Sequence, residues 1–274
     1  YGKAVEDLTE AIRLDPDDAY AHYLRGNVYG RMGEYEKAVD DLTEAIRLGP
    51  ENAYAYRRRG DIYDDMEEYG KAVDDLTEAI RLDPDYAYAY GRRSDVYRNM
   101  EEYQKAVEDL SEVIRLQSDN AFDVLYAYRR RADTYWRAKD FRKAIDDYTE
   151  VIRLEPEGWL SYFLRGWNQA DLGQHELAIA DYTEAINIGP DYSEHVFAED
   201  HVDMYIKRAD SYMALGDYPA ALDDYSTSID SNPGNAQAFQ KRSIAHTRLG
   251  SLNKAIEDLQ ESQRLEPNME DTEA

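Results

Sequence analysis

Arginine returns at a near-constant interval along this 274-residue chain, at Arg25, Arg59, Arg93, Arg131, Arg165, Arg208 and Arg242. Aspartate keeps the same beat at Asp7, Asp41, Asp75, Asp109, Asp147, Asp181, Asp224 and Asp258. A guanidinium and a carboxylate in register form paired, bidentate hydrogen bonds. Each arginine sits beside an apolar seam, where an unpaired charge is costly. We therefore read the two series as structural pairs tying neighbouring segments together, not as a ligand site.

Other chemistry is scarce. His22, His175, His195, His201 and His246 are scattered, and His175 takes a place otherwise held by Tyr or Phe, which suits packing. His195, Glu199 and His201 share one short stretch, but their spacing fits no standard metal-ligand pattern. Without cysteine the chain has no disulfide or thiolate chemistry. It carries no H-E-x-x-H, no G-x-S-x-G and no phosphate-cradling glycine loop. Adjacent acids such as Asp146 and Asp147 point in different directions on a helix, unlike a glycosidase pair. We expect no enzyme activity, no cofactor and no metal.

The elements that position these residues are repeats. Ala38–Leu48 (AVDDLTEAIRL) recurs word for word at Ala72–Leu82, 34 residues on, and related phrases begin at Ala4, Ala106, Ala144, Ala178, Ala221 and Ala255. Full units cover 19–52, 53–86, 87–120, 125–158, 159–192, 202–235 and 236–269. Residues 1–18 form the second half of one more unit, 121–124 and 193–201 are inserts, and 270–274 is a short acidic tail. Within a unit, Ala21, Leu24, Val28 and Tyr29 make one helical stripe, and Tyr35, Ala38, Val39, Leu42, Ala45 and Ile46 make a second. Gly33 suits the turn between them and Pro50 closes the unit. Glu67, Glu101 and Lys139 replace that turn glycine, so each takes a left-handed conformation at some cost or the turn changes. Ser118 stands where Pro is expected.

Gly26, Tyr29, Ala38, Leu42, Ala45 and Pro50, with Gly166, Ala178, Tyr182, Ala185 and Pro190, resemble the tetratricopeptide repeat (TPR) pattern over almost the whole chain. The resemblance implies an all-α fold, a right-handed TPR solenoid or superhelix of antiparallel helix pairs. It also implies a concave wall of first helices that holds peptide segments of other proteins.

In that family the second, fifth, sixth, ninth, twelfth and thirteenth residues of each unit face the groove. Here those positions supply Tyr23, Asn27, Tyr54, Arg57, Arg58, Asp61, Tyr88, Arg92, Asp95 and Arg98, then Tyr126, Arg129, Arg130, Asp133, Trp136, Phe163 and Trp167. Tyr20, Tyr54, Tyr88 and Tyr126 form a column one repeat apart. A basic, aromatic stretch leading into an apolar one suits a peptide with carboxylates and hydrophobic anchors. Arg58 or Arg92 could equally pair with Asp61 or Asp95 and serve only the solubility of the groove. The carboxylate clamp of chaperone-binding TPR proteins is matched only by Asn27 and Arg92, two of its five positions.

The formal net charge is −26, from 58 acids and 32 bases, yet 43% hydrophobic and 12% aromatic content is too apolar for a disordered acidic tail. The first 14 residues of each full unit hold 18 bases and 8 acids, and the remainder holds 14 bases and 50 acids. The expected partner is thus an acidic protein or peptide in the groove; an acidic outer wall argues against nucleic acid. With no stretch near the ~20 apolar residues of a spanning helix, membrane insertion is not expected, and the expected compartment is cytoplasmic. Two other readings stay open: a self-assembling structural element that stacks through uncapped terminal repeats, and a regulatory or sensor region of a larger enzyme or signalling protein. A chain starting inside a repeat at Tyr1 is expected to be a fragment of a longer one.

Overall fold

A computed structural model describes residues 1–116, 121–189 and 198–266, with the side chains of 121–123 and 198–203 left aside. Ser118, Pro190, residues 193–197 of the second insert, His195 and the tail 270–274 lie outside the described residues, as do the side chains of Glu199 and His201. Helix α1 (Gly2–Leu14) is followed by the pairs α2 (Ala19–Arg31) with α3 (Tyr35–Leu48), α4 (Ala53–Asp65) with α5 (Tyr69–Leu82) and α6 (Ala87–Asn99) with α7 (Tyr103–Leu116), then in sequence by α8 (Ala121–Arg137) and α9 (Phe141–Leu154), then by the pairs α10 (Trp159–Asp171) with α11 (His175–Ile188), α12 (Ala198–Leu215) with α13 (Tyr218–Ser231) and α14 (Ala236–Arg248) with α15 (Leu252–Leu265). No strand occurs among the described residues. Residues 121–124 form the first turn of α8. The chain divides into two compact units, Tyr1–Ala138 and Lys139–Ala274.

Local chemistry sets the helix ends. The Asp18 carboxylate accepts from the Tyr20 and Ala21 amides at 2.9 and 3.1 Å, and Asn52 caps α4 in the same way. The turn inside a repeat needs a left-handed residue. Gly33, Gly173, Gly216 and Gly250 supply it with φ of 73–80°, while Glu67, Glu101 and Lys139 adopt φ of 59–60° despite their side chains.

Small residues let the helices of a pair close up. A Cβ on Gly26 would sit 2.9 Å from Leu42 Cγ, and one on Gly60 would sit 2.9 Å from Leu76 Cγ. The same position holds Ser94, Ala132, Ala209 and Ser243 elsewhere, all buried. In unit 1 the core is aliphatic: Leu42 packs with Ile62 across a repeat boundary, and Leu76 packs with Val96. Each such side chain contributes about 2 kcal/mol by leaving water. In unit 2 those two positions carry Tyr182 and Ser211, then Tyr225 and Ala245, again all buried. At these two junctions a large ring on the second helix goes with a small residue on the next first helix, whereas Tyr148 is followed by the buried Asn168.

The recurring arginines lie in this seam. Arg25 grips Asp41 through Nε and Nη2, each at 2.7 Å, and the same fork joins Arg59–Asp75, Arg93–Asp109, Arg165–Asp181, Arg208–Asp224 and Arg242–Asp258. The remaining donor reaches back one repeat to a hydroxyl: Thr9, Thr43, Thr77, Ser111, Thr149, Thr183 and Ser226 accept from the seven arginines in order at 2.9–3.2 Å. Arg131 belongs to this series through Ser111, and Asp147 is buried. An aromatic ring three residues before six of the arginines, from Tyr56 to Phe239, stacks on the guanidinium at 5.4–5.8 Å.

Two outcomes follow from these contacts. Replacing Glu67 and Glu101 by Gly relieves left-handed strain of about 1 kcal/mol each, so the double variant melts higher; a lower melting temperature refutes the strain. Burial raises the Asp109 pKa against the pull of Arg93. Arg93→Met strands that carboxylate and costs about 3 kcal/mol at pH 7. A raised acid binds its proton more tightly in the folded chain, so the deficit shrinks as pH falls through the Asp109 pKa. Urea denaturation at pH 7 and pH 5 checks this, and an equal deficit at both refutes it.

Candidate functional site

First helices of consecutive repeats touch within unit 1, α2 with α4 and α4 with α6, more than second helices do. They therefore form the inner face of that unit. Across the six groove positions of residues 19–137 this face holds eight arginines and five aspartates, a surplus of positive charge.

The structure brings most of the expected residues together, but not as free guanidinium groups. Arg58 Nε donates to Asn27 Oδ1 at 2.7 Å, and Arg92 Nε donates to Asp61 Oδ1 at 2.8 Å. Arg130 pairs with Asp95. In each case the sixth residue of one repeat reaches the ninth residue of the repeat before. Unit 2 repeats the device: Lys207 lies 4.0 Å over the Trp167 ring centroid, and Lys241 Nζ meets Asp210 Oδ2 at 2.6 Å. The phenol of Tyr225 also donates to Asp210, at 2.7 Å.

Around this ladder the charges are crowded. Arg57 donates to Asp61 Oδ2 at 2.5 Å and stacks 5.1 Å from the Tyr88 centroid. Burial works against the charge on Arg57 and Arg92, but the neighbouring Asp61 carboxylate and nearby phenols outweigh it and raise both pKa values. Burial lowers the Arg130 pKa, helped by Arg92 and Arg137 and opposed by Asp133. Asp64 titrates above its usual range because burial outweighs Arg92 and the amide of Asn99. Arg98 bridges towards Asp133 of the following repeat.

Over these paired charges stand the tyrosines. Tyr54, Tyr88 and Tyr126 are 55%, 58% and 55% exposed. Tyr54 and Tyr86 rings sit 5.1 Å apart, and Tyr20 stacks near Tyr23 at 6.1 Å. Asp61, expected in the groove, is 4% exposed and serves as an internal acceptor. Phe163 corrects the expectation outright. It is 9% exposed and packs on Tyr182, ring centroids 5.7 Å apart, because the neighbouring Gly166 lets the second-helix ring in close. Trp136 is partly exposed, and Trp167 and Arg129 are half-buried.

The hydroxyls that receive the seam arginines and the rings that stack on them were missed in the sequence, although both recur with the repeat. The link from sixth to ninth residue was missed because it spans 31 to 40 residues across a boundary.

Tetratricopeptide-repeat family models match residues 1–33, 19–52, 53–86, 87–120, 129–193 and 206–270. No curated protein sequence matches the chain. Among solved structures, the C-terminal part of a TPR repeat-containing protein from Cytophaga hutchinsonii aligns with a TM-score of 0.76 at 16% identity, over 88% of this chain and 94% of that one. YrrB, described as a TPR protein with an unusual peptide-binding site, aligns with a TM-score of 0.58 at 22% identity, over 69% and 95%. MamA from Desulfovibrio magneticus RS-1 aligns with a TM-score of 0.55 at 20% identity, over 65% and 97%. Among the described residues, no helix is long and apolar enough to cross a membrane. The repeat matches, which together span nearly all of the sequence, and the stacked helix pairs place this chain in the tetratricopeptide repeat family, as a protein-interaction scaffold.

Proposed function

We propose that the inner face of unit 1 binds an extended peptide segment of another protein, one that carries carboxylates and apolar anchors. The column of half-exposed rings at Tyr54, Tyr88 and Tyr126 is the observation that carries this reading. Rings left half in water at repeat intervals, over a floor whose arginines are already held by neighbouring aspartates, offer apolar area at low entropic cost. The surplus of guanidinium over carboxylate favours an acidic ligand, and Arg58 is the clearest receptor because its hydrogen-bonded partner, Asn27, is neutral and the Asp61 carboxylate stands off at 3.6 Å. Charge reversal at Arg58, Arg92 and Arg130 is a poor test, since it also breaks the ladder between repeats. A better one replaces Tyr54 and Tyr88 by Ala, which gives up ring contacts with Tyr86 and Arg57 but leaves the ladder of Arg58, Arg92 and Arg130 in place. In fluorescence titrations with matched acidic, neutral and basic peptides, the acidic peptide binds tightest and weakens with added salt. Each tyrosine loss weakens it about tenfold while the cooperative thermal unfolding is kept, with the melting temperature lowered by only a few degrees. A basic peptide that binds as tightly refutes the reading.

A second reading has one observation behind it. On α15, Leu252, Ile256 and Leu259 are exposed, whereas Leu42 and Leu76, which hold the Leu259 position in earlier repeats, are fully buried. A helix docked there, from a second copy of the chain, would restore the repeat pattern. Light scattering over a concentration range then shows growing mass, and a strict monomer at high concentration rules it out.

A further inference from the structure

Residue 91 breaks the tyrosine-and-arginine pattern of the inner face. Its counterpart one repeat earlier is Arg57, whose side chain lies against the Tyr88 ring and Asp61 and so fills the space between α4 and α6. Gly91 has nothing to place between α6 and α8, and a Cβ built on it would meet no atom within 4 Å. The result is a cavity of about 340 Å³. Its floor is aliphatic, from the buried Leu110 and Val113 of α7, with Ala87 and Ala127 beside them. The exposed rings of Tyr88 and Tyr126 stand at its mouth together with Arg92 and Arg130.

Volume and charge restrict what can enter. The volume is at the low end of the ~300–1,000 Å³ range of small-molecule sites, enough for one large side chain but not for a whole folded element. A cationic side chain is disfavoured, because Asp95, the acid at the rim, already faces Arg92 at 3.4 Å, Arg98 at 3.9 Å and the paired Arg130. Those guanidinium groups also serve Asp61, Asp64 and Asp133, but over the whole cluster Arg57, Arg58, Arg92, Arg98, Arg130 and Arg137 face only Asp61, Asp64, Asp95 and Asp133, which leaves positive charge for a further anion at the mouth. Burial and the neighbouring cations Arg92 and Arg137 already depress the Arg130 pKa, so an added carboxylate relieves that site.

We infer that this cavity is an anchor subsite for a single large apolar side chain of an acidic peptide, whose adjoining carboxylate meets Arg92 and Arg130. The inference rests on the peptide-binding reading of the inner face and adds to it a position and a residue class. Arg57 shows the arrangement in cis: a side chain from this chain lies on a tyrosine ring between two first helices, where at Gly91 the ligand supplies the side chain.

The test uses the full chain and two synthetic peptides, acetyl-Glu-Glu-Phe-Glu-Glu-amide and acetyl-Glu-Glu-Ala-Glu-Glu-amide, titrated by calorimetry. The phenylalanine peptide is expected to bind wild type about tenfold tighter than the alanine peptide. Gly91→Leu fills the cavity from within and abolishes that advantage. Because Leu replaces a mid-helix glycine in open space, the variant melts no lower than wild type. Should Gly91→Leu melt lower, Gly91→Ala, a smaller fill, is read in its place and shrinks the advantage in part. Equal binding of the two peptides to wild type, or an advantage that survives the filled cavity, overturns the subsite and leaves the acidic-peptide reading standing. Binding of neither peptide overturns both.

Discussion

An arginine cannot discard its charge, so a guanidinium lodged between two helices has to be satisfied from every side. That requirement organises the chain. The Asp of its own second helix takes the fork, a Thr or Ser of the preceding repeat takes the remaining donor, and an aromatic ring covers the plane. One side chain thereby fixes the distance within a helix pair and the distance to the pair before. The demand accounts for part of the 25 tyrosines, since Tyr56, Tyr90, Tyr128, Tyr162 and Tyr205 lie on the seam guanidinium planes. The paired glutamates and arginines on the outer second helices, such as Glu44–Arg47 and Glu78–Arg81, are exposed and add little.

The inner face obeys a second, looser version of the same rule. Its cations are already held by the preceding repeat through Asn27, Asp61, Asp95, Asp210 or the Trp167 ring. A face built this way is preorganised, since its long side chains have lost their rotamer freedom before any partner arrives. In the proposed complex a peptide carboxylate would be received by groups already in place, with the excess of arginine over aspartate setting its sign. The net charge of −26 describes the outer wall and says little about the inner one.

Much of this was legible in the sequence for a definite reason. A 34-residue period repeats the same stripe at Ala38, Leu42 and Ala45 as at Ala72, Leu76 and Ala79, so helix pairs and their buried faces follow from arithmetic. The seam arginines and their aspartates share that period and were visible in the same way. What stayed hidden lies across boundaries. Arg92 looks like a neighbour of Asp95 on its own helix, yet its 2.8 Å bond goes to Asp61, because consecutive first helices lie side by side. Phe163 occupies a groove position, but the neighbouring Gly166 and Tyr182 draw it into the core. Nothing in the sequence marks Gly91; its meaning depends on what Leu110 and Val113 place beneath it.

The change of core between the two units also bears on how such an array can be altered. In unit 1 an aliphatic pair such as Leu42 and Ile62 meets across a repeat boundary; in unit 2 the same two places hold Tyr182 and Ser211. Each partner is shaped for the other, so individual repeats are not interchangeable parts. Setting the second helix with Leu42 before the first helix with Ser211 leaves a void, and setting the helix with Tyr182 before the one with Ile62 overfills the junction. Duplication, deletion or exchange of repeats in this chain is therefore restricted by a grammar of adjacent pairs. The unit that can be copied intact runs from the middle of one repeat to the middle of the next.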